Sequence, residues 1–318
     1  MSNDRTDVLK RIKATFNLEG NKSNNIRLPR DIEFTIVGND VEMHISSKSV
    51  EKNMQDDAAA FEGWALVLKR WGKFDKVILS WDLNNLPDNG HYQRFLFRAT
   101  NFSKDFNSWF EIKSNCIPYL TALIINESET YYLNSPSNNR DKNIPQGAES
   151  ILEDKFSKGD WADPLKLKTN ADYLNRQLPV GVFKKSVSKL TSIFPRLKSA
   201  IDIWGISKNN ELLLFELKAH ANNKVGIITE LYFYYCIMQN VQSGRFKHEK
   251  SDPDLDKIAK SKGINAYFLA PKLHLLIDKE LVGLLNEKLS PDIEIQYLQF
   301  SDYADKLVLK DGFNPLNP

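Results

Sequence analysis

Three ionisable residues stand where charge is costly. Asp202 lies in AIDIWGI, and Glu216 and Lys218 lie in LLLFELKA, two runs apolar enough to be central strands of a covered sheet. An unpaired carboxylate in such a strand costs several kcal/mol or takes up a proton, so the three must pair, bind metal or do chemistry. Their spacing narrows the choice. With Ser207 opposite Glu211 and Lys208-Asn209-Asn210 as a three-residue loop, the runs form a hairpin in which Asp202 faces Glu216. Lys218, two residues beyond Glu216, projects to the same side. A two-residue loop would shift the parity and send the carboxylates to opposite faces. Opposed carboxylates repel, and a divalent cation between them turns repulsion into ligation; oxygen-only ligation suits Mg²⁺ or Mn²⁺, not zinc.

The following segment, from about Val225 to Val241, has the length and composition of a helix, with Glu230 and Tyr234 four apart on one face. Asp202, thirteen intervening residues, then Glu216-x-Lys218 with apolar flanks and this helix resemble the PD-(D/E)XK nuclease superfamily. Glu230 stands where the RecB-like branch has Gln, and Ile201 where Pro usually precedes the first acid. The resemblance spans roughly residues 147 to 300. It implies an α/β fold with a restriction-endonuclease-like αβββαβ core, a mixed central sheet flanked by helices, and hydrolysis of DNA phosphodiester bonds by bound Mg²⁺ or Mn²⁺. Asp202 and Glu216, with the Leu217 carbonyl, would hold the metal. Lys218 would orient or help deprotonate the attacking water and stabilise the developing phosphorane charge. A lysine desolvated beside a metal would have a lowered pKa, which suits base work. Glu230 and Tyr234 would be auxiliary, as would an upstream helical acid, for which Glu149, Glu153 and Asp172 are the candidates. Bacterial proteins of this kind often act in restriction or anti-phage defence.

The bland alternatives are concrete. Glu-x-Lys occurs by chance on many solvated strands, and Tyr232 to Tyr235 serve equally well to pack a helix onto a sheet. A non-catalytic nucleic-acid-binding or assembly protein that keeps the fold, and a nuclease that cuts RNA, are the competing functions.

Between Val180 and Ile201 the chain carries Lys184, Lys185, Lys189, Arg196 and Lys198 and no acid. Residues 151–275 hold 20 Lys and Arg against 13 Asp and Glu, while the whole chain has a net charge of only +2. The positive charge is thus concentrated beside the carboxylates, where it would neutralise phosphates in a salt-dependent way. The alternative for this segment is an ordinary solvated loop.

The elements that must position these residues follow from the patterning. At 318 residues the expectation is two domains, 1–140 as a mixed α+β accessory domain and 141–318 as the nuclease-like domain, divided at the Pro- and Asn-rich Asn134–Gly147. In the first, stable order is expected from near Ile26. A hairpin over Ile32–Ile45, a helix through Phe61 and Trp71, a strand at KVILSW, an aromatic helix with a break near Asn101 and a second hairpin, TALIIN with ETYYLN, should follow. Aromatic residues there invite a base-stacking role, but their helical spacing argues for core. The accessory domain is assigned to recognition, regulation or dimerisation by default. In the second domain the expected order is helices at Glu149–Phe156 and Ala171–Leu178, a short strand VGVF, the two motif strands, the long helix, a strand INAYFLA, a helix at 274–289 and a last strand IEIQYLQF.

Other chemistries lack their residues. The five histidines form no H-E-x-x-H, Cys116 and Cys236 no C-x-x-C, and no P-loop, dinucleotide-binding or G-x-S-x-G pattern is present. Two cysteines, no apolar leader and no apolar run near 20 residues lead to the expectation of an intracellular, cytoplasmic protein without a transmembrane span.

Overall fold

The computed structural model describes residues 3–83, 90–126, 128–136, 147–195, 199–222, 224–250, 252–303 and 306–313. The architecture is mixed α/β, with a multi-stranded central sheet flanked by helices. Two compact units divide the chain. One holds Met1–Ile124, Lys224–Thr229 and Leu275–Lys288; the other holds Ile125–Asn223, Glu230–His274 and Leu289–Pro318.

The first unit begins with α1 (Asn3–Leu18), whose Val8, Ile12 and Phe16 recur every fourth residue and are buried. Order therefore starts well before Ile26, because an apolar stripe inside a polar sequence suffices to dock the helix. Strands β1 (Ile32–Val37) and β2 (Asp40–Ile45) pair in the expected hairpin, turned by Gly38-Asn39 with Gly38 at a φ of 65°, a region open to glycine. After the short α2 (Ser47–Val50) come α3 (Phe61–Arg70), β3 (Val77–Trp81), α4 (Gly90–Asp105) and β4 (Phe110–Ile112). The sheet order is β1-β2-β3-β4, with β2, β3 and β4 parallel. Helix α4 runs through Asn101 without a break, and its aromatic residues form a core of edge-on ring contacts around Phe61 and Phe102. Glu62 and Arg98 are buried there as an ion pair. Arg98 Nε donates to Glu62 Oε1 at 2.7 Å and Nη2 to the Ala59 carbonyl at 2.8 Å, and Thr229 Oγ1 donates to Glu62 Oε2 at 3.0 Å.

The expected second hairpin does not form. Ile117–Ala122 is a 3₁₀ turn containing Pro118, and β5 (Tyr131–Leu133) instead joins a small sheet. Its partners lie far along the chain, which local patterning does not reveal.

The chain continues with α5 (Ala148–Ser157), α6 (Ala162–Thr169), β6 (Ala171–Pro179), β7 (Val182–Phe183), β8 (Ala200–Ser207), β9 (Leu212–Leu217), α7 (Gly226–Gln242), β10 (Phe246–His248), α8 (Pro253–Lys260), β11 (Ile264–Ala270), α9 (Lys279–Leu289), β12 (Ile293–Tyr303) and β13 (Lys306–Asp311), mostly in the second unit. The first turn of α7 and most of α9 group with the first unit. A six-stranded sheet runs β13-β12-β11-β9-β8-β6, with β9, β11 and β12 parallel and the other neighbours antiparallel; β10, β5 and β7 form the small sheet.

Ala171–Leu178 is a strand, not a helix. Leu174 and Leu178 have the four-residue spacing of a helix face, but burial alternates along Leu174, Arg176 and Leu178. The helical stretch is α6, ended at Asn170 in the left-handed region (φ 55°), from which the chain enters β6. On one sheet face, Phe156, Trp161 and Leu165 of α5 and α6 and the turn between them pack on Ile203, Leu213, Phe215, Leu217, Leu269 and Phe300. Asp202 and Glu216 alternate with these residues and therefore belong to the other face.

Candidate active site

Strands β8 and β9 pair in the register expected from the sequence. Ile203 is opposite Phe215, Trp204 opposite Leu214 and Ile206 opposite Leu212, and the Ser207 amide donates to the Glu211 carbonyl at 2.9 Å to close the three-residue loop. Asn210 takes the left-handed conformation (φ 63°) at the last loop position, which asparagine tolerates and which such loops require. Continued by one residue, this register sets Asp202 against Glu216.

The backbone ladder between the two strands stops at Ile203 and Phe215. Beyond it, the Leu217 amide donates to Asp202 Oδ2 at 2.9 Å, so a side-chain carboxylate takes the place of a main-chain carbonyl. The Lys218 amide, pointing the other way, donates to the Leu269 carbonyl of β11 at 2.9 Å. Asp202 thus sits where two strands part, partly accessible, while Glu216 is 1% exposed.

Lys218 lies among carboxylates. Its Nζ donates to Glu216 Oε1 and stands 3.5 Å from Glu230 Oε2. Glu230 is the only charged residue in the 17-residue α7 and is 3% exposed, so this partner explains how an otherwise apolar helix tolerates it. Glu216 Oε2 is buried with no hydrogen-bond donor against it. Burial, and then the Glu216 charge, push the Asp202 and Glu230 carboxyls well above the usual carboxylate range. Burial pulls the Lys218 ammonium down, but Glu216, Glu230 and Asp202 outweigh it and its pKa is raised. The lowering expected from the sequence is for a lysine beside a bound cation; with the carboxylates alone around it, the charged form of Lys218 is favoured.

Of the upstream acids, Glu149 and Asp172 are exposed, whereas Glu153 is 5% exposed and its charge acts on Asp202. Glu149 and Glu153 are one turn apart on the same helical face, and of the two only Glu153 is buried. Burial raises the Glu153 carboxyl, and Gln177 Nε2 donates to its Oε2 at 2.8 Å. Sequence reasoning missed Gln177, whose left-handed φ of 55° inside a strand has no signature in its residue type. Tyr234 is buried and its hydroxyl donates to the Ala200 carbonyl at 3.0 Å, tying α7 to the start of β8.

Lys184, Lys185 and Lys189 are exposed on the segment after β7, which closes through the Lys184 amide on the Thr191 carbonyl at 2.8 Å. Lys184 Nζ is 3.5 Å from Glu129. Arg196 and Lys198 lie outside the described residues. Cys116 and Cys236 are buried, and neither is in a disulfide.

Among the described residues, no three His, Cys, Asp or Glu side chains are arranged so as to hold a metal ion, and no helix is long and apolar enough to cross a membrane. The arrangement joins one lysine to clustered acids where two strands part. No family model, curated protein or solved structure matches the chain.

Proposed function

We propose that the chain is a metal-dependent nuclease of the PD-(D/E)XK type that hydrolyses phosphodiester bonds of DNA. The observation that carries this reading is the β8–β9 register, which sets Asp202 against Glu216 at the point where the ladder ends, with Lys218 in contact with Glu216. The succession α5, α6, β6, β7, β8, β9, α7, β10, α8, β11, with β11 parallel to β9, supports it, since it contains an αβββαβ series once α6, β7, β10 and α8 are taken as additions.

The residues fit a hard divalent cation by their chemistry. Glu216 Oε2 lacks a donor, Asp202 is partly accessible, and both ligands are oxygen. Asp202 and Glu216 would hold Mg²⁺ or Mn²⁺, which when bound supplies Lewis-acid polarisation of a phosphoryl oxygen and a more acidic water. Lys218, held protonated, contributes charge: it binds a non-bridging phosphate oxygen and stabilises the added negative charge of the transition state. Glu230 keeps that ammonium oriented from α7. Exposed Lys184, Lys185 and Lys189 supply phosphate contacts with no sequence preference. Restriction or anti-phage defence is the biological setting we propose.

The lysine's saturation by carboxylates favours one second reading, a closed ion cluster in a non-catalytic nucleic-acid-binding protein. Plasmid, linear and single-stranded DNA and RNA incubated with the purified chain and Mg²⁺ separate the two. Cleavage abolished by EDTA and by Asp202→Asn and Lys218→Ala is expected. Cutting unchanged in both variants overturns the site, and salt-dependent binding with no cutting under any condition moves the balance to the second reading.

A further inference from the structure

The β6–β8 ladder has a defect at the height of the carboxylates. Arg176 is opposite Ile203 and Leu178 opposite Ile201, so the register sets Gln177 against Asp202. Gln177 is nevertheless left-handed, with a φ of 55°. Such a conformation is disfavoured for a side chain with a Cβ and is uncommon inside a strand, and strain of this kind collects at functional sites.

Its geometric consequence is specific. In a regular antiparallel pair, directly opposed residues project to one face. A regular Gln177 would share the face of Asp202. Helix α5 packs through Phe156 on the other face, against Ile203 and Leu217. The left-handed turn interrupts the alternation, and the Gln177 amide reaches α5, donating to Glu153 Oε2 at 2.8 Å. Glu153 is 5% exposed, and the residue that holds it, Gln177, is the one the register sets against Asp202. One residue thus connects the Asp202 position of the sheet to an acid on the opposite helix.

We propose that Gln177 is a positioning residue of the carboxylate site: its left-handed backbone turns the side-chain amide out of β6 to hold Glu153, which fixes a further buried acid next to the strand position of Asp202. This rests on the reading of that site as one for a divalent cation. Partners that orient ligands from outside the coordination sphere typically change metal affinity 10- to 100-fold.

Glycine separates positioning from mere shape. At a positive φ, Gln177→Gly suits the backbone better than glutamine does and removes only the amide. Mn²⁺ binding to the full chain, followed by the loss of the free-ion EPR signal, is measured for wild type, Gln177→Gly, Glu153→Gln and the double variant, with thermal unfolding of each in parallel. The expected result is a roughly ten-fold weaker Mn²⁺ affinity in each single variant, no further loss in the double, and a melting temperature for Gln177→Gly no lower than wild type. Gln177→Asn, which tolerates the same backbone but has a shorter amide, should fall between. Wild-type affinity in Gln177→Gly, or losses that add in the double variant, overturns the positioning role alone. A wild-type chain that binds no Mn²⁺ overturns the metal-site reading itself, and this inference with it.

Discussion

Lys218 balances the carboxylates around it, and replacing it with methionine, Lys218→Met, exposes their mutual repulsion while retaining the length of its stem. The ammonium contacts Glu216, stands 3.5 Å from Glu230 and is only 17% exposed. At that distance and an effective dielectric constant near 20, an ionised Glu230 is attracted by about 5 kcal/mol before desolvation is subtracted, and burial with the neighbouring acids outweighs this, which is why its carboxyl is raised. Breaking a buried pair by removing one partner typically costs about 3–5 kcal/mol net. The loss depends on pH with a definite sign. Asp202 and Glu230 already have raised pKa values, and they rise further without the cation. A carboxyl whose folded pKa lies above its unfolded value makes the native state bind more protons, so stability falls as pH climbs from about 4 towards the folded pKa. The deficit of Lys218→Met is therefore smallest near pH 4 and largest at pH 8. Urea unfolding at both pH values measures it, and hydrogen–deuterium exchange in β8 and β9 assigns it to this site. A divalent cation at a hundred times its Kd should restore about 2.7 kcal/mol at pH 8. A variant as stable as wild type at both pH values, with no response to Mn²⁺, would refute the reasoning, since it would mean that the acids do not share one field.

Three further outcomes follow from named contacts. Glu230→Gln removes one buried carboxyl from the cluster and should raise the unfolding free energy in urea at pH 8 more than at pH 5, by about 1.4 kcal/mol for each unit by which its pKa stands above the unfolded value; an equal effect at both pH values counts against the raised pKa. Gly205→Ala places a Cβ 2.2 Å from the Tyr173 carbonyl oxygen, a backbone atom of β6 that cannot swing aside, and should destabilise the chain by about 2–4 kcal/mol in urea titration. In the first unit, Arg98→Met leaves Glu62 buried without its cation and should cost about 3–5 kcal/mol, while Arg98→Met with Glu62→Leu recovers a large part of that loss.

What could be read from the sequence was local. The hairpin of β8 and β9 was legible because its loop chemistry and two apolar runs agree, and the parity of that loop decides which face each acid takes. The Asn170 cap was harder to weigh: Leu174 and Leu178 satisfy a helical period and a strand period alike, and only the left-handed turn before Ala171 makes the strand the continuation. Pairing of β5 with β10 joins Tyr131 to Phe246, a separation over which no local pattern carries information. Choosing Glu153 over Glu149 needed the depth of each on α5, and residues one turn apart on one face are not distinguished by periodicity.

The least legible feature, Gln177, is also the most informative about the site. A left-handed glutamine gains nothing in propensity, and a regular β6 would place it beside Asp202 at no backbone cost. Two neighbouring departures from regular sheet occur at one height: Gln177 leaves the β6 conformation, and the β8–β9 ladder gives way to an Asp202 side chain on the Leu217 amide. Both free the region around one carboxylate from main-chain pairing. A sheet built only for stability would close its ladder there, with apolar residues in place of Glu216 and Lys218. Under the proposed function, the local cost of keeping three acids and a lysine around a broken ladder is offset by binding a cation, and the Mn²⁺ and pH experiments on Gln177, Lys218 and Glu230 test that proposal.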